Sequence, residues 1–196
     1  MNVRPTLADE TRDIAVLRER FTREAADRDL LDVAFRRLDS PIGALVIAAT
    51  PRGIVRLAFE NEPVDEVLDE LATKVSPRVL EAPAGLDGVA RELDEYFAGT
   101  RTRFDVAVDF ALSSGFRRHV LDHLTQIPYG VTESYTQVAL ATDNPKAVRA
   151  VGSACATNPI PLIVPCHRVL RSDGSLGGYR GGLAAKRVLL DLEAAA

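Results

Sequence analysis

The sequence predicts an α/β N-terminal domain followed by a mainly α-helical domain that carries a helix-turn-helix. Three observations predict it. Short β-prone runs separated by turn signals crowd residues 33–59. Helical periodicity takes over in residues 64–97. Beyond a small-residue linker at Ala111 to Gly115, the chain turns helical, with glycine and proline marking the stops.

The whole chain sets the bounds. Its 196 residues, 46% hydrophobic, suffice for one good core or two small ones. No apolar run approaches the roughly 20 residues of a membrane span. The charged stretch from Asn2 to Arg20 lacks the apolar centre of a signal peptide, so a cytoplasmic protein without membrane contact is expected. The two cysteines, Cys155 and Cys166, are too few for a disulfide framework or a thiolate zinc site, which leaves free-thiol chemistry. A net charge of −4 argues against a generic basic nucleic-acid binder. Residues 113–196 nevertheless carry 9 Lys/Arg against 6 Asp/Glu, while residues 1–112 carry 15 against 22, so attraction to phosphates would be local to the C-terminal part.

In order along the chain, residues 1–31 are charged, with Ile14, Leu17, Phe21 and Ala25 at helical spacing. They read as an amphipathic helical extension, either packed on the domain or reaching for a partner. Residues 32–112 form the α/β domain. Val33 to Leu38, Gly43 to Ala49 and Gly53 to Phe59 are strands of a meander or hairpin array, broken at Ser40-Pro41 and at Pro51-Arg52-Gly53. Val64 to Val75 and Leu86 to Phe97 are helices, and Phe104, Val106 and Val108 alternate like a last strand. Residues 113–196 form the second domain. Phe116, Val120 and Leu124 give its first helix, and Ser134 with Gln137 is a capping box that starts a helix at Tyr135. Asn144 before Pro145 predicts an N-cap and first helical residue, and the break at Asp143-Asn144 has the form of a helix-turn-helix.

On a wheel of about 100° per residue, the helix after Pro145 puts Val148, Val151 and Cys155 on one side. Arg149, Gly152, Ser153 and Ala156 fall on another, which suits either close helix packing or close approach to something flat or anionic. Ile160 to Pro165 is apolar and proline-pinned, and it delivers Cys166-His167-Arg168. A neighbouring His or Arg favours the nucleophilic thiolate, yet adjacency alone is compatible with an inert core cysteine. The glycine-rich stretch Arg171 to Gly182 lacks P-loop spacing. In the last helix, Leu183 to Ala196, Glu193 falls between Leu189 and Leu190 on the apolar side, where an acid needs a partner unless the chain end frays.

Taken in order, Ile127-Pro128-Tyr129-Gly130, Ser134-Tyr135, Asn144-Pro145-Lys146-Ala147, Arg149-Ala150-Val151-Gly152, Asn158-Pro159-Ile160-Pro161, Pro165-Cys166-His167-Arg168-Val169, Gly178-Tyr179 and Gly181-Gly182-Leu183 closely resemble the O6-alkylguanine-DNA alkyltransferases. Ser40-Pro41-Ile42-Gly43 and Tyr96-Phe97-Ala98-Gly99 look like that family's N-terminal domain. The resemblance implies a small antiparallel sheet with helices, ribonuclease H-like, ahead of a winged-helix-like second domain. It makes Cys166 the alkyl acceptor, His167 the group that removes its proton through water, and Glu193 the acid that orients the histidine. Asn158 would hold the reactive segment to the helix-turn-helix, and Tyr135 would hydrogen-bond the target guanine. Arg149 would enter the base stack, with Lys146, Gly152, Ser153 and Ala156 on the DNA-facing surface.

The implied pocket is walled by Pro161 and the main chain at Val169, with Cys155 beside it, and is covered by Tyr179 and the flexible glycines, with the main chain or Arg180 left to hydrogen-bond the base oxygen. The implied partner is double-stranded DNA with O6-alkylguanine, approached from the minor groove by a monomer after base flipping. No metal or organic cofactor is implied. Leu121 and Arg180 depart from common choices of the family, and the departure at Arg180 bears on substrate range. The rival readings are a damage-binding module that transfers nothing and an alkylation-responsive helix-turn-helix regulator.

Overall fold

Alternation along the first β-prone run decides how the sheet faces. Val33 and Phe35 are buried on one side, while Ala34 and Leu38 pack on the other. The computed structural model describes residues 16, 17, 20–25, 28 and 30–195. Strands β1 (Val33–Leu38), β2 (Leu45–Thr50) and β3 (Gly53–Phe59) form the expected antiparallel meander. A fourth strand, β4 (Val79–Glu81), pairs parallel with β1 and makes the sheet mixed, in the order β3-β2-β1-β4. Three residues without alternation gave no local strand signal; β4 exists because β1 offers it a free edge.

A bulge in β3 sets what each face carries. Ala48 pairs with Arg56 and Ala49 with Ile54, so Val55 is the extra residue. Leu45, Ile47, Ile54, Leu57 and Phe59 therefore share one core with helix α2 (Asp87–Phe97), through Val89, Leu93 and Tyr96. Val46, Ala48, Val55 and Ala58 share another with helix α1 (Val64–Lys74), through Val67 and Leu71. The first core runs on without a break into the C-terminal part, through Val120, Leu124, Val138, Val151 and Val164.

One N-terminal expectation is corrected. Phe104, Val106 and Val108 do not form a strand; one bridge joins Val108 to Ile54. The outer edge of β3 is shared, because Leu57 N donates to Pro159 O (2.8 Å), which leaves residues 107–109 only the start of the strand. Residues 20–25 are helical, and Ala25 is buried, but Leu17 and Phe21 are 62% and 61% exposed. Of the apolar positions at helical spacing, Ala25 is the buried one among the described residues, and Ile14 lies outside them.

In the C-terminal part, helix α3 (Gly115–Leu124) buries Val120, Leu121 and Leu124. Helix α4 (Tyr135–Ala141) starts with the expected capping box: Gln137 N donates to Ser134 Oγ (3.2 Å), and Ser134 N to Gln137 Oε1 (2.7 Å). Helix α5 (Val148–Ala156) starts later than expected. Asp143 takes a left-handed conformation (φ 56°), and Asn144 N donates back to Ala139 O (3.0 Å), so Asn144 closes α4 instead of capping α5. Pro145 and Lys146 form the intervening turn, and α4, turn and α5 make the helix-turn-helix. Strand β5 (Glu133–Ser134) pairs parallel with β6 (Val169–Leu170), and helix α6 (Gly182–Ala194) closes the chain. Among the described residues no helix is long and apolar enough to cross a membrane.

Candidate active site and nucleic-acid interface

The segment before Cys166 is stapled by one side chain. Asn158 Nδ2 donates to Val164 O (2.8 Å), and its Oδ1 accepts from Ile160 N (3.0 Å). The intervening apolar residues are buried, and Leu162 is held at φ 71°, a conformation that costs on the order of 1 kcal/mol outside glycine. Cys166 N donates to Val164 O (2.8 Å), and a short 3-10 turn, Cys166–Arg168, follows. The thiol is therefore placed by rigid backbone, at 2% exposure.

Glu193 is the charge centre behind it. Its Oε1 accepts from His167 Nε2 (2.9 Å), Arg168 Nη2 (2.8 Å) and Tyr96 OH (2.6 Å), and its Oε2 accepts from Arg168 Nε (2.8 Å) and Gly130 N (3.2 Å). Burying an ion costs several kcal/mol, whereas each hydrogen bond to a charged group contributes about 1.5–3 kcal/mol, so this donor set keeps the carboxylate ionised. Burial pushes its pKa up, but His167, Arg168 and Tyr96 outweigh burial and hold it well below the usual range. Gly130 has a positive φ (72°), and a Cβ there would approach Glu193 O at 3.0 Å, so the close approach suits glycine.

An ionised carboxylate only accepts, so His167 Nε2 carries the proton and Nδ1 presents its lone pair. Nδ1 is buried with no hydrogen-bond partner among the described residues. Burial lowers the His167 pKa against the pull of Glu193, and burial raises the Cys166 thiol to about 11, against Asn158 and Lys186. The resting pair is thus neutral thiol and neutral imidazole, and a base is needed as the thiol reacts.

Around this pair, Pro161 and Val169 are buried, and Cys155 packs at 5% exposure with its pKa raised by burial. Tyr135 leads α4, and its hydroxyl sits so close to Gly177 that any Cβ there would collide with it. Burial, then Cys155 and Cys166, push the Tyr135 pKa to about 12. Tyr179 stands edge-on to His167, with ring centroids 6.3 Å apart. Arg180 Nε is engaged by Glu62 Oε2 (2.6 Å).

On α5, Val151 and Cys155 face the core, while Arg149, Ser153 and Ala156 are exposed and Gly152 is half-buried. Lys146 is exposed on the preceding turn, and neither it nor Arg149 makes an ion pair among the described residues. A basic, small-residue surface is therefore free to meet an anion.

Sequence reasoning missed Tyr96, Lys186 and the role of Arg168. Lys186 is fully buried and donates Nζ to Val169 O (2.7 Å). Its signal was available: it lies two helical turns before Glu193 on the same apolar stripe. Tyr96 gave no local signal, because its partner lies 97 residues away.

Two family descriptions match the chain: the DNA binding domain of 6-O-methylguanine DNA methyltransferase over residues 115–195, and its ribonuclease-like domain over residues 33–110. The inducible methylated-DNA–protein-cysteine methyltransferase of Bacillus subtilis (strain 168) is 44% identical over 149 residues, 75% of this chain and 82% of that protein. The methylated-DNA–protein-cysteine methyltransferase of Mycobacterium tuberculosis (strain H37Rv) is 39% identical over 161 residues, 82% of this chain and 92% of that one. Among solved structures, Mycobacterium tuberculosis OGT in complex with DNA matches with a TM-score of 0.73 at 38% identity, covering 83% of this chain and 93% of that chain.

Proposed function

This chain belongs to the 6-O-methylguanine DNA methyltransferase family, and from that premise we propose how its own residues carry out the reaction. It is a single-turnover alkyltransferase that repairs DNA directly, by moving an alkyl group onto its own cysteine. The acceptor is Cys166, and the observation that carries this is the buried His167–Glu193 pair, whose histidine directly follows the buried thiol in the chain.

The thiol proton passes through water to His167 Nδ1 as Sγ attacks the alkyl carbon and the bond from that carbon to O6 of guanine breaks. Glu193 stabilises the imidazolium that forms. Tyr135, kept protonated by its raised pKa, donates to the departing base. The thiol proton held by His167 then passes to the guanine anion, leaving neutral guanine in the DNA and S-alkylcysteine in the protein. A thioether has no ready leaving step, so each molecule acts once.

The alkyl carbon of a stacked guanine cannot be reached in line by a sulfur, so the base must leave the duplex, at a cost of a few kcal/mol. Arg149 fills the gap, and Gly152, Ser153 and Ala156 let α5 lie against the minor groove, where little sequence is read. Lys146 adds a phosphate contact. Pro161, Val169 and Cys155 wall the base pocket, with Tyr179 and Arg180 at its lid and Asn158 holding the reactive segment. Residues 32–112 and 113–196 act as the two domains of a monomer.

The test is nucleoside composition of a duplex containing O6-methylguanine after incubation with the protein. Restored guanine should rise to one equivalent of protein and stop; continued turnover or unchanged O6-methylguanine would refute the reading.

A further inference from the structure

The edge of β3 and the loop after it reach the pocket from the N-terminal side. Arg56 is 1% exposed; its Nη1 donates to Leu57 O (2.6 Å) and lies 3.5 Å from Pro159 O, next to Asn158. Its buried charge needs a partner. Glu62 Oε2 accepts from Arg56 Nη2 (2.5 Å), and Glu70 Oε2 lies 3.4 Å from Arg56 Nε. The same Glu62 Oε2 accepts from Arg180 Nε (2.6 Å), while Glu62 Oε1 accepts from Phe59 N (3.0 Å).

Two neighbouring contacts bear on the same lid. Asn61 Nδ2 donates to Arg180 O (2.9 Å), and the Phe59 ring meets Tyr179 edge-on at 5.4 Å. A Cβ on Gly181 would come within 2.8 Å of the Phe59 ring. Tyr179, Arg180 and Gly181 thus rest on Phe59, Asn61 and Glu62. An exposed ion pair would add little, but this carboxylate is only 12% exposed and is shared with a buried guanidinium, so its position is held.

We propose that Glu62 is a positioning residue of the alkyl-transfer site: through Arg180 it holds the lid over the base pocket and so sets affinity for the extruded base. The proposal rests on Cys166 being the acceptor. Glu62 touches neither the thiol nor His167, so its loss should loosen base binding and leave the chemical step intact.

Saturation kinetics with free O6-benzylguanine separate the two, with Cys166 alkylation followed by intact mass. Glu62→Gln should raise the half-saturating concentration about tenfold, as expected for losing a charge-assisted hydrogen bond, with the limiting rate within about twofold. Arg180→Ala should likewise raise the half-saturating concentration, and the two changes together should be less than additive, because they share the Glu62–Arg180 bond. Should Glu62→Gln fail to fold, Asn61→Ala, which removes only a contact to the main chain of the lid, carries the same expectation. An unchanged half-saturating concentration, a loss confined to the limiting rate, or additive effects would overturn the proposal. A wild-type protein that takes up no benzyl group would overturn the reading of Cys166, and this proposal with it.

Discussion

His167 donates an Nε2–H hydrogen bond to Glu193 Oε1 at 2.9 Å and keeps the lone pair of Nδ1 for the reaction. That relationship makes the pH dependence predictable. Because burial lowers the His167 pKa below its ordinary value, the imidazole stays neutral at pH 7, and the rate falls only as pH drops through the lowered value. Because the Cys166 thiol sits at about 11, the rate should not follow an ordinary thiol titration near 8.5. Methyl-transfer rates measured between about pH 5 and 9 should be flat above neutrality and fall on the acid side. Stability follows the same signs: the His167 contribution is present above its unfolded pKa and lost as pH falls through the folded one, and the Cys166 contribution is lost as pH rises toward 11.

Glu193→Gln should cost both activity and stability. It removes the charge that faces Arg168 and His167 and leaves buried Arg168 short of its partner, a loss of about 3–5 kcal/mol by denaturant unfolding. Methyl transfer should fall by about 100-fold or more, since the imidazolium loses its counter-charge. Tyr96→Phe removes one donor of the five and should cost only about 1 kcal/mol. Equal losses in the two variants would contradict the assignment of Glu193 to the relay.

Arg149→Ala should separate DNA handling from chemistry. Repair of duplex DNA is expected to fall by about tenfold or more, because the extruded base is no longer replaced in the stack. Reaction with free O6-benzylguanine should stay within about twofold, since Arg149 is exposed on α5 away from the buried relay. Parallel losses on both substrates would refute the finger role.

Gly177→Ala should behave oppositely. Its new methyl group meets the Tyr135 hydroxyl, so overpacking of about 1–3 kcal/mol is expected along with similar losses on duplex and free-base substrates. Thermal unfolding and paired alkylation rates check this. A loss restricted to duplex DNA would mean that Gly177 lies outside the base pocket.

Much of this was legible from local pattern. The three strands of the meander follow from alternation and turn residues, and Ser134 with Gln137 names the start of α4 from spacing alone. Glu193 was legible because an acid on an apolar stripe calls for a partner. What escaped depends on neighbours distant in the chain. β4 needs the edge of β1, residues 104–108 lose the edge of β3 to Pro159, and a turn closed by Ala147 N on Asn144 O moves the start of α5 beyond Asn144. Arg180 shows the same limit: its place after Tyr179 marked it as a pocket residue, but its partner Glu62 is 118 residues away.

The central claim is that Cys166 is the single-use acceptor, and intact mass with peptide mapping tests it most directly. After incubation with a duplex containing O6-methylguanine, the protein should gain one methyl group, mapped to Cys166, and Cys166→Ser should gain none. A methyl group on Cys155, or tight binding of the damaged duplex with no change in mass, would contradict it.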